Sequence, residues 1–457
     1  MSMTPETEAR VGELLAEYRI PSASVGILHH GDIARFAFGT ADAASGRMAS
    51  VDTIYQIGSM TKTWTTLALM GFVDEGRIDL DAPVRDHLPA FAVRDPDVGA
   101  RVTPRHLLNH TNGIEEDFGD PGEDTDVLRR MVANIADAPQ VQPLGHLHGY
   151  SGALGYAILG RVMEVVEGRA WDDILTDRVI RPIGATSTSS GHHPVDPDRA
   201  ATGHVLRSLA EGPIASPLPH LPRAFGPGGN VTSTTGDVLA MAHVLLNDGR
   251  TADGTSIASP QAIAEMKRSR VPLPDPYTYG PQWALGLIVC DWNGHTVYAS
   301  DGSTVGHHSR LRILPDHDLA VVMLTNCTPR ESFYRKVFNA ILGELGAPVV
   351  ADLPAPDPNL AVDPSRYAGV YERPGTRLEV LPDNGRLQLI YTPDPAQAAF
   401  LGKPPRIRYE LLPVGGDHFL MPPSDELDDT RAVSFADFSG GAARYLHTNS
   451  RLHPRRP

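Results

Sequence analysis

Ser59 and Lys62 stand in the run Ser59-Met60-Thr61-Lys62. On a helix that spacing brings a hydroxyl and an amine to one face, one turn apart, where they can hydrogen-bond directly. A serine hydroxyl is a poor nucleophile until a nearby base takes its proton, and a lysine partly withdrawn from water can lose its own proton and serve. The chemistry open to such a pair is acyl transfer through a serine ester, helped by a helix N-terminus that favours developing negative charge. Four residues alone are weak evidence, because average composition yields one S-x-x-K by chance on the order of once in a chain this long.

The surroundings are more specific. Tyr55-Gln56-Ile57-Gly58-Ser59-Met60-Thr61-Lys62 runs into a buried helical pattern with Trp64, Leu67, Ala68 and Gly71 inward, ending in Asp74-Glu75-Gly76-Arg77-Ile78-Asp79-Leu80-Asp81. Val102-Thr103-Pro104-Arg105-His106-Leu107-Leu108-Asn109-His110-Thr111-Asn112-Gly113 follows. Tyr150-Ser151-Gly152 then stands just ahead of a second apolar helix, and Ser300-Asp301-Gly302-Ser303 ahead of a strand. In this order the segments resemble the serine β-lactamase-like superfamily, closest to its class C β-lactamase, esterase and D-aminopeptidase branch. That branch shows the S-x-x-K helix, E-G-x-[IL]-x-L-x-D-x-[VI], L-L-x-H-T-S-G-[IL], Y-x-N, and K-T-G or H-x-G.

The resemblance implies that Ser59 is the nucleophile, that Lys62 and Tyr150 handle its proton, and that the backbone N–H groups of Ser59 and Ser303 form the oxyanion hole. It places Gly152, Ser300, Asp301 and Gly302 against the substrate. His148, two before Tyr150, is the one histidine expected near the cleft. Three positions depart from the pattern. Asn112 replaces a turn serine. Gly152 replaces an asparagine that would bind lysine and substrate, which puts relay geometry and amide recognition in doubt. Ser300 replaces the lysine or histidine, which argues against gripping a free carboxylate as in penicillin recognition, and Asp301 is expected to face a cationic substrate or to sit solvated in a turn.

The elements that must position these residues are legible from periodicity. An amphipathic helix covers about Thr4 to Arg19, with Val11, Leu14, Leu15 and Tyr18 on one face. Ser22 to Leu28 and Ile33 to Gly39 read as a hairpin around His29-His30-Gly31-Asp32. The second apolar helix runs from Leu154 to Glu167 before Gly168, and the Pro/Gly/Ser/His-rich stretch from Pro194 to Pro227 reads as long loops. Strands at Ser309 to Leu314 and Leu319 to Thr325 precede a helix burying Phe333, Val337, Phe338, Ile341, Leu342 and Leu345. The fold class implied is α/β, a β-lactamase/transpeptidase-like sandwich with an antiparallel sheet flanked by helices and an all-helical subdomain.

Four prolines in residues 351–364 forbid continuation of the last helix, so residues 1–350 form the acyl-transfer domain and 351–364 a linker. Residues 365–457 read as a small all-β domain, with strands at Arg377 to Leu381, Leu387 to Tyr391, Tyr409 to Leu412 and Ala443 to His447. Tyr367-Ala-Gly-Val-Tyr-Glu and the closing Tyr445-Leu-His-Thr-Asn-Ser-Arg-Leu-His-Pro-Arg are similar to lipocalin-like barrels appended to D-aminopeptidases and some peptide-offloading cyclases.

Bulk properties exclude several classes. The formal net charge of −15 over 457 residues, without a dense basic patch, disfavours nucleic acid and anionic membranes as partners. No apolar run approaches bilayer length and the N-terminus lacks a signal-like pattern, which fits a cytoplasmic protein. Cys290 and Cys327 are too few for a disulfide framework or structural zinc site and read as small hydrophobes inside strands. The pairs His29-His30, His192-His193 and His307-His308 lack metal-ligand spacing, because neighbours on a strand point to opposite faces. The expectation is a serine hydrolase or transacylase without cofactor or metal, acting on an ester, amide or thioester of a small molecule or peptide. Esterase, D-amino-acid peptidase and peptide-offloading cyclase types stay open. The alternative is a catalytically silent relative that binds a ligand in the same cleft.

Overall fold

A computed structural model describes residues 3–115, 122–191, 195–328, 330–400 and 402–456. Its centre is a nine-stranded sheet. In spatial order the strands are Arg47–Met48, Asp32–Asp42, Ser22–His29, Leu319–Thr325, His308–Leu314, His295–Ser303, Ile288–Trp292, Gln282–Trp283 and Val271–Pro272. Every pairing is antiparallel, with Ser22 opposite Gly39 and Ser24 opposite Leu324. Ser22–Leu28 and Leu319–Thr325 are buried along their whole length, because helices cover both faces of the sheet.

On the back face lie the first helix, Pro5–Glu17, and the last of this domain, Glu331–Glu344. Thr4 caps the first helix by accepting the Thr7 N–H, and Val11, Leu14 and Leu15 pack with Phe333, Val337 and Ile341 over Val25 and Val321. The front face carries the helix Thr61–Asp74, so nearly surrounded that Trp64, Leu67, Leu69, Met70 and Phe72 are all buried. A helical layer extends beyond it, from Pro96–Arg101 and Pro104–Leu108 through Val127–Asn134 to Leu154–Glu167 and Trp171–Leu175. Gly168 closes Leu154–Glu167 in the left-handed conformation, φ 74°, as a glycine C-cap does.

The expected loop region holds a short hairpin, His204–Leu206 with Pro213–Ala215. Cys290 lies in a strand, whereas Cys327 lies just past the end of one; both are buried free thiols. Among the described residues no helix is long and apolar enough to cross a membrane, and no group of His, Cys, Asp and Glu is arranged to hold a metal ion. His30 belongs to a turn, φ 51°, which lets its ring stack on His29 at 4.1 Å rather than alternate across a strand. His307 and His308 are both buried. His192 and His193 lie outside the described residues.

Between Glu344 and the 3₁₀ turn Pro364–Arg366 the chain forms no regular element. An eight-stranded antiparallel meander follows, from Gly369–Arg373 to Arg451–Pro454, including four strands the sequence pattern did not separate, Gly369–Arg373, His418–Met421, Arg431–Ser439 and Arg451–Pro454. Its ends approach through a bridge between Tyr371 and Arg455 and the Arg456 N–H on the Val370 carbonyl, so the sheet curls into a nearly closed barrel. Tyr371, Leu378, Leu389, Phe419, Val433, Phe435 and Leu446 fill the interior. Closure protects edge strands that would otherwise template association.

The barrel docks on the sheet-and-helix domain through ion pairs. Arg373 holds Glu115 at 2.7 Å, both nearly enclosed, and His146 meets Asp437 at 2.9 Å. Beside these contacts His110 and His148 of the catalytic domain approach His447 and His453 of the barrel, with 6.3 Å between the His148 and His447 rings. Burial pushes all four imidazoles down, His447 to about 4 and His453 to about 3. An unfolded chain takes up these protons near pH 6.5 while the folded one does not, so stability present above about 6.5 is lost as pH falls toward those depressed values. Buried Glu164 and Asp237, raised by desolvation, act in the opposite sense, but only in the carboxylate range. The urea midpoint should therefore fall between about pH 7.5 and pH 5, each such histidine contributing about 2 kcal/mol. A midpoint flat across that interval would contradict the neutral buried cluster.

Candidate active site

Ser59 occupies a 3₁₀ turn, Gly58–Met60, that feeds directly into the helix Thr61–Asp74. Residues three apart eclipse in such a turn. Lys62 Nζ accordingly donates a 3.0 Å hydrogen bond to Ser59 Oγ, and a second of 2.6 Å to the Gly228 carbonyl. Tyr150 Oη donates to the same Ser59 Oγ at 2.7 Å, and the lysine nitrogen lies 5.0 Å from the Tyr150 ring centre. Lys62 is 3% exposed, so its ammonium exchanges water for these oxygens.

Close backbone approaches create this geometry. Gly58 has φ 54°, and a Cβ there would fall 2.5 Å from Ser303 N, so only glycine lets the turn lie against the Ser303 peptide. The Ser59 and Ser303 amides are thereby neighbours at the start of a helix, whose first N–H groups have no intrahelical acceptor. Gly228 belongs to the short helix Gly226–Gly229, and a Cβ on it would meet Ala153 Cα at 2.6 Å. Its lack of a side chain brings a carbonyl within reach of Lys62, where Gly152, φ 55°, offers no amide. The sequence reading took Pro227 only as the end of a loop, although Gly226-Pro227-Gly228-Gly229 was a visible signal for close backbone packing.

The third segment departs from expectation. Ser300 is 4% exposed and its hydroxyl is engaged with Thr63 Oγ1 at 2.7 Å, which removes it from the cleft. Gly302 lies beneath the Ile57 carbonyl, where a Cβ would clash at 1.9 Å. Asp301 neither faces a substrate nor sits in solvated turn. Strand alternation sends it through the sheet to the back face, where it pairs with Arg312 and Arg310 at 6% exposure. His148 is also fully buried, its ring 5.0 Å from Trp283, and is a packing residue behind the site. Of the expected substrate contacts, these four therefore build the wall rather than line it.

Tyr150 is held from three sides. His110 packs on its ring at 4.5 Å and joins Ser151 Oγ at 3.0 Å, while Asn112 Nδ2 donates to the same hydroxyl at 3.1 Å. Asn112, the turn residue that departs from the family pattern, is thus a buttress of the tyrosine segment. The third side comes from the barrel. Asn449 and Ser450, φ 50° and 59°, form the two-residue turn between Ala442–Thr448 and Arg451–Pro454. Ser450 O accepts the Tyr150 N–H at 2.9 Å. Arg451 Nη1 donates to the Tyr150 carbonyl at 2.5 Å, and its guanidinium lies 4.9 Å from the ring centre. No local pattern could announce a contact across some 300 residues of chain.

The β-lactamase family model matches residues 7–343. The chain belongs to the β-lactamase family. It is 35% identical over 373 residues to penicillin-binding protein 4 of Amycolatopsis lactamdurans, covering 80% of this chain and 97% of that one. It is 27% identical to esterase EstB of Burkholderia gladioli, over 63% of this chain and 79% of that one. The crystal structure of SurE superposes over 99% of this chain and 98% of its own, with a TM-score of 0.79 and 25% identity. That likeness spans the barrel as well as the catalytic domain. Members of this family are serine hydrolases, and a hydroxyl held by an amine and a phenol beside paired backbone amides is able to form and resolve an acyl ester.

Arg451 touches Tyr150 from another domain, so it acts by position. Arg451→Ala should lower kcat for p-nitrophenyl acetate by about tenfold to a hundredfold, with KM little changed and Arg451→Lys restoring part of the loss. Stopped-flow kinetics separate the two constants, and a loss confined to KM would make Arg451 a substrate contact instead.

Proposed function

We propose that this chain is a serine acyl-transfer enzyme that uses a Ser59 acyl-enzyme on an ester, amide or thioester of a small molecule or peptide. The observation that carries the reading is Ser59 Oγ held at 3.0 Å from Lys62 Nζ and 2.7 Å from Tyr150 Oη. Once Lys62 has lost a proton to solvent, Oγ passes its own proton into the lysine–tyrosine pair as it bonds to the carbonyl carbon, and the carbonyl electrons move onto the oxygen between the Ser59 and Ser303 amides. Such preorganised donors contribute about 3 kcal/mol to a barrier of this kind. Collapse breaks the bond to the leaving group, which takes a proton from Tyr150 Oη. Water or an amine, deprotonated by the same pair, then attacks the ester and regenerates Ser59.

Ser300 offers no cation for a penicillin carboxylate, and its hydroxyl is bound to Thr63. This favours the esterase, D-amino-acid peptidase and peptide-offloading members over an antibiotic-destroying β-lactamase. The grip of the barrel on Tyr150 and the full-length likeness to SurE support the members that carry a C-terminal β domain. A silent ligand-binding relative drew its motive from Gly152 and Ser300. The Gly228 carbonyl removes much of that motive, because Lys62 keeps an acceptor without the family asparagine.

Intact-protein mass spectrometry tests the reading. A fluorophosphonate, and separately p-nitrophenyl acetate, should each add one equivalent to the wild type and none to Ser59→Ala. Folded wild-type protein that takes no adduct would establish the silent relative.

A further inference from the structure

The buried Asp301 ion pair borders a second cavity, of about 590 Å³, on the opposite face of the sheet from Ser59. It lies between the strands Ile288–Trp292 and His308–Leu314, the helix Glu331–Glu344, residues 350–354 of the linker and residues 427–432 of the barrel. Both domains and the segment joining them thus close around it.

Its lining carries five arginines and five carboxylates, and Arg310 at its floor is buried. Arg310 is 6% exposed, yet among the described residues only its Nη2 donates a hydrogen bond, to Glu331 at 2.6 Å. Its Nε lies 3.4 Å from Asp301 within the ion pair but donates no hydrogen bond. Arg312 beside it is taken up by Asp301 and the Leu311 carbonyl. Two guanidinium groups therefore share one buried carboxylate, with Glu331 and Arg330 both at the rim. A buried guanidinium with unspent donors is costly unless something completes its hydrogen bonds. The walls are apolar and aromatic, from Tyr279, Trp292, Tyr334 and Phe338. Volume, apolar walls and a few convergent polar groups are the ordinary features of a small-molecule site.

We infer that this interdomain cleft is a second ligand site, separate from the Ser59 cleft, for a small apolar carboxylate whose anionic end meets Arg310. A monoanion matches the one guanidinium nitrogen, Nη1, that no protein group engages among the described residues, since Glu331 holds Nη2 and Nε is buried beside Asp301. A dianion such as phosphate fits less well, because Glu331 already pairs Arg310 and Asp291, Asp352, Asp428 and Asp429 line the same cleft. Neither the family's acyl chemistry nor the residues around Ser59 account for a guanidinium buried here.

Isothermal titration of the full chain with 3-phenylpropionate tests the site. Saturable binding is expected, with 3-phenylpropanamide and inorganic phosphate each at least about tenfold weaker. Arg310→Met leaves Asp301 paired with Arg312 and should weaken the acid at least about tenfold, toward the affinity of the amide. Leu353→Trp, which fills the cleft from the linker without touching an ion pair, should block binding and keeps the test decisive if Arg310→Met does not fold. The inference is overturned by absence of saturable binding, by equal affinity for acid and amide, by phosphate binding as tightly as the acid, or by binding that survives in either folded variant.

Discussion

Lys62 is buried beside Ser59, and the rest of its domain is arranged around that burial. An amine almost without solvent contact is tolerable only where oxygen atoms replace the lost water. Two of those oxygens are Ser59 Oγ and the Gly228 carbonyl, and each depends on a backbone approach that a side chain would prevent. The 3₁₀ turn eclipses Ser59 with Lys62, the helix below it is sheathed on nearly every side, and the Gly226–Gly229 segment presses onto Ala153. Loosening any of these would leave a desolvated ammonium short of partners, so the geometry that activates the serine is also part of what the fold must satisfy.

The same constraint reaches the second domain through Tyr150. The phenol that completes the triangle sits on a segment with no regular structure ahead of the helix Leu154–Glu167. Its backbone amide and carbonyl find partners in Ser450 and Arg451, at a barrel turn where two non-glycine residues hold positive φ. Such a turn favours glycine at its second position, and a serine there is kept only when surrounding contacts over-determine it. The barrel thus borders the Tyr150 segment, and buried histidines of both domains meet beside it.

How much of this the sequence disclosed follows from the range of the interactions. Helix and strand positions were legible because burial imposes a period within a few residues, as at Val11, Leu14 and Leu15 or along Leu319 to Thr325. Ser59, Lys62 and Tyr150 were legible because their segments resemble a family. Asp301 was misplaced because a resemblance at Gly302 fixes a strand but not which face its neighbour takes, and alternation sends 301 to the side away from Gly302. Gly228 showed only as part of a glycine-rich run, and Ser450 and Arg451 gave no sign of their role, since each acts through a contact remote in sequence, two of them through backbone atoms.

The departures from the family pattern form one connected change. Without an asparagine at 152, Lys62 donates its second hydrogen bond to the Gly228 carbonyl, which can accept but cannot donate to a substrate. Without a cation at 300, the Ser300 hydroxyl binds Thr63 on the nucleophile helix and locks strand to helix. Both changes move groups from recognition into structure while the serine, lysine and tyrosine stay in contact. The elements that border the Tyr150 segment from outside its own domain are those of the barrel. The contacts among Ser59, Lys62 and Tyr150 are thus kept, while the turn at Ser450 and Arg451, rather than an asparagine or a cation, stands next to them.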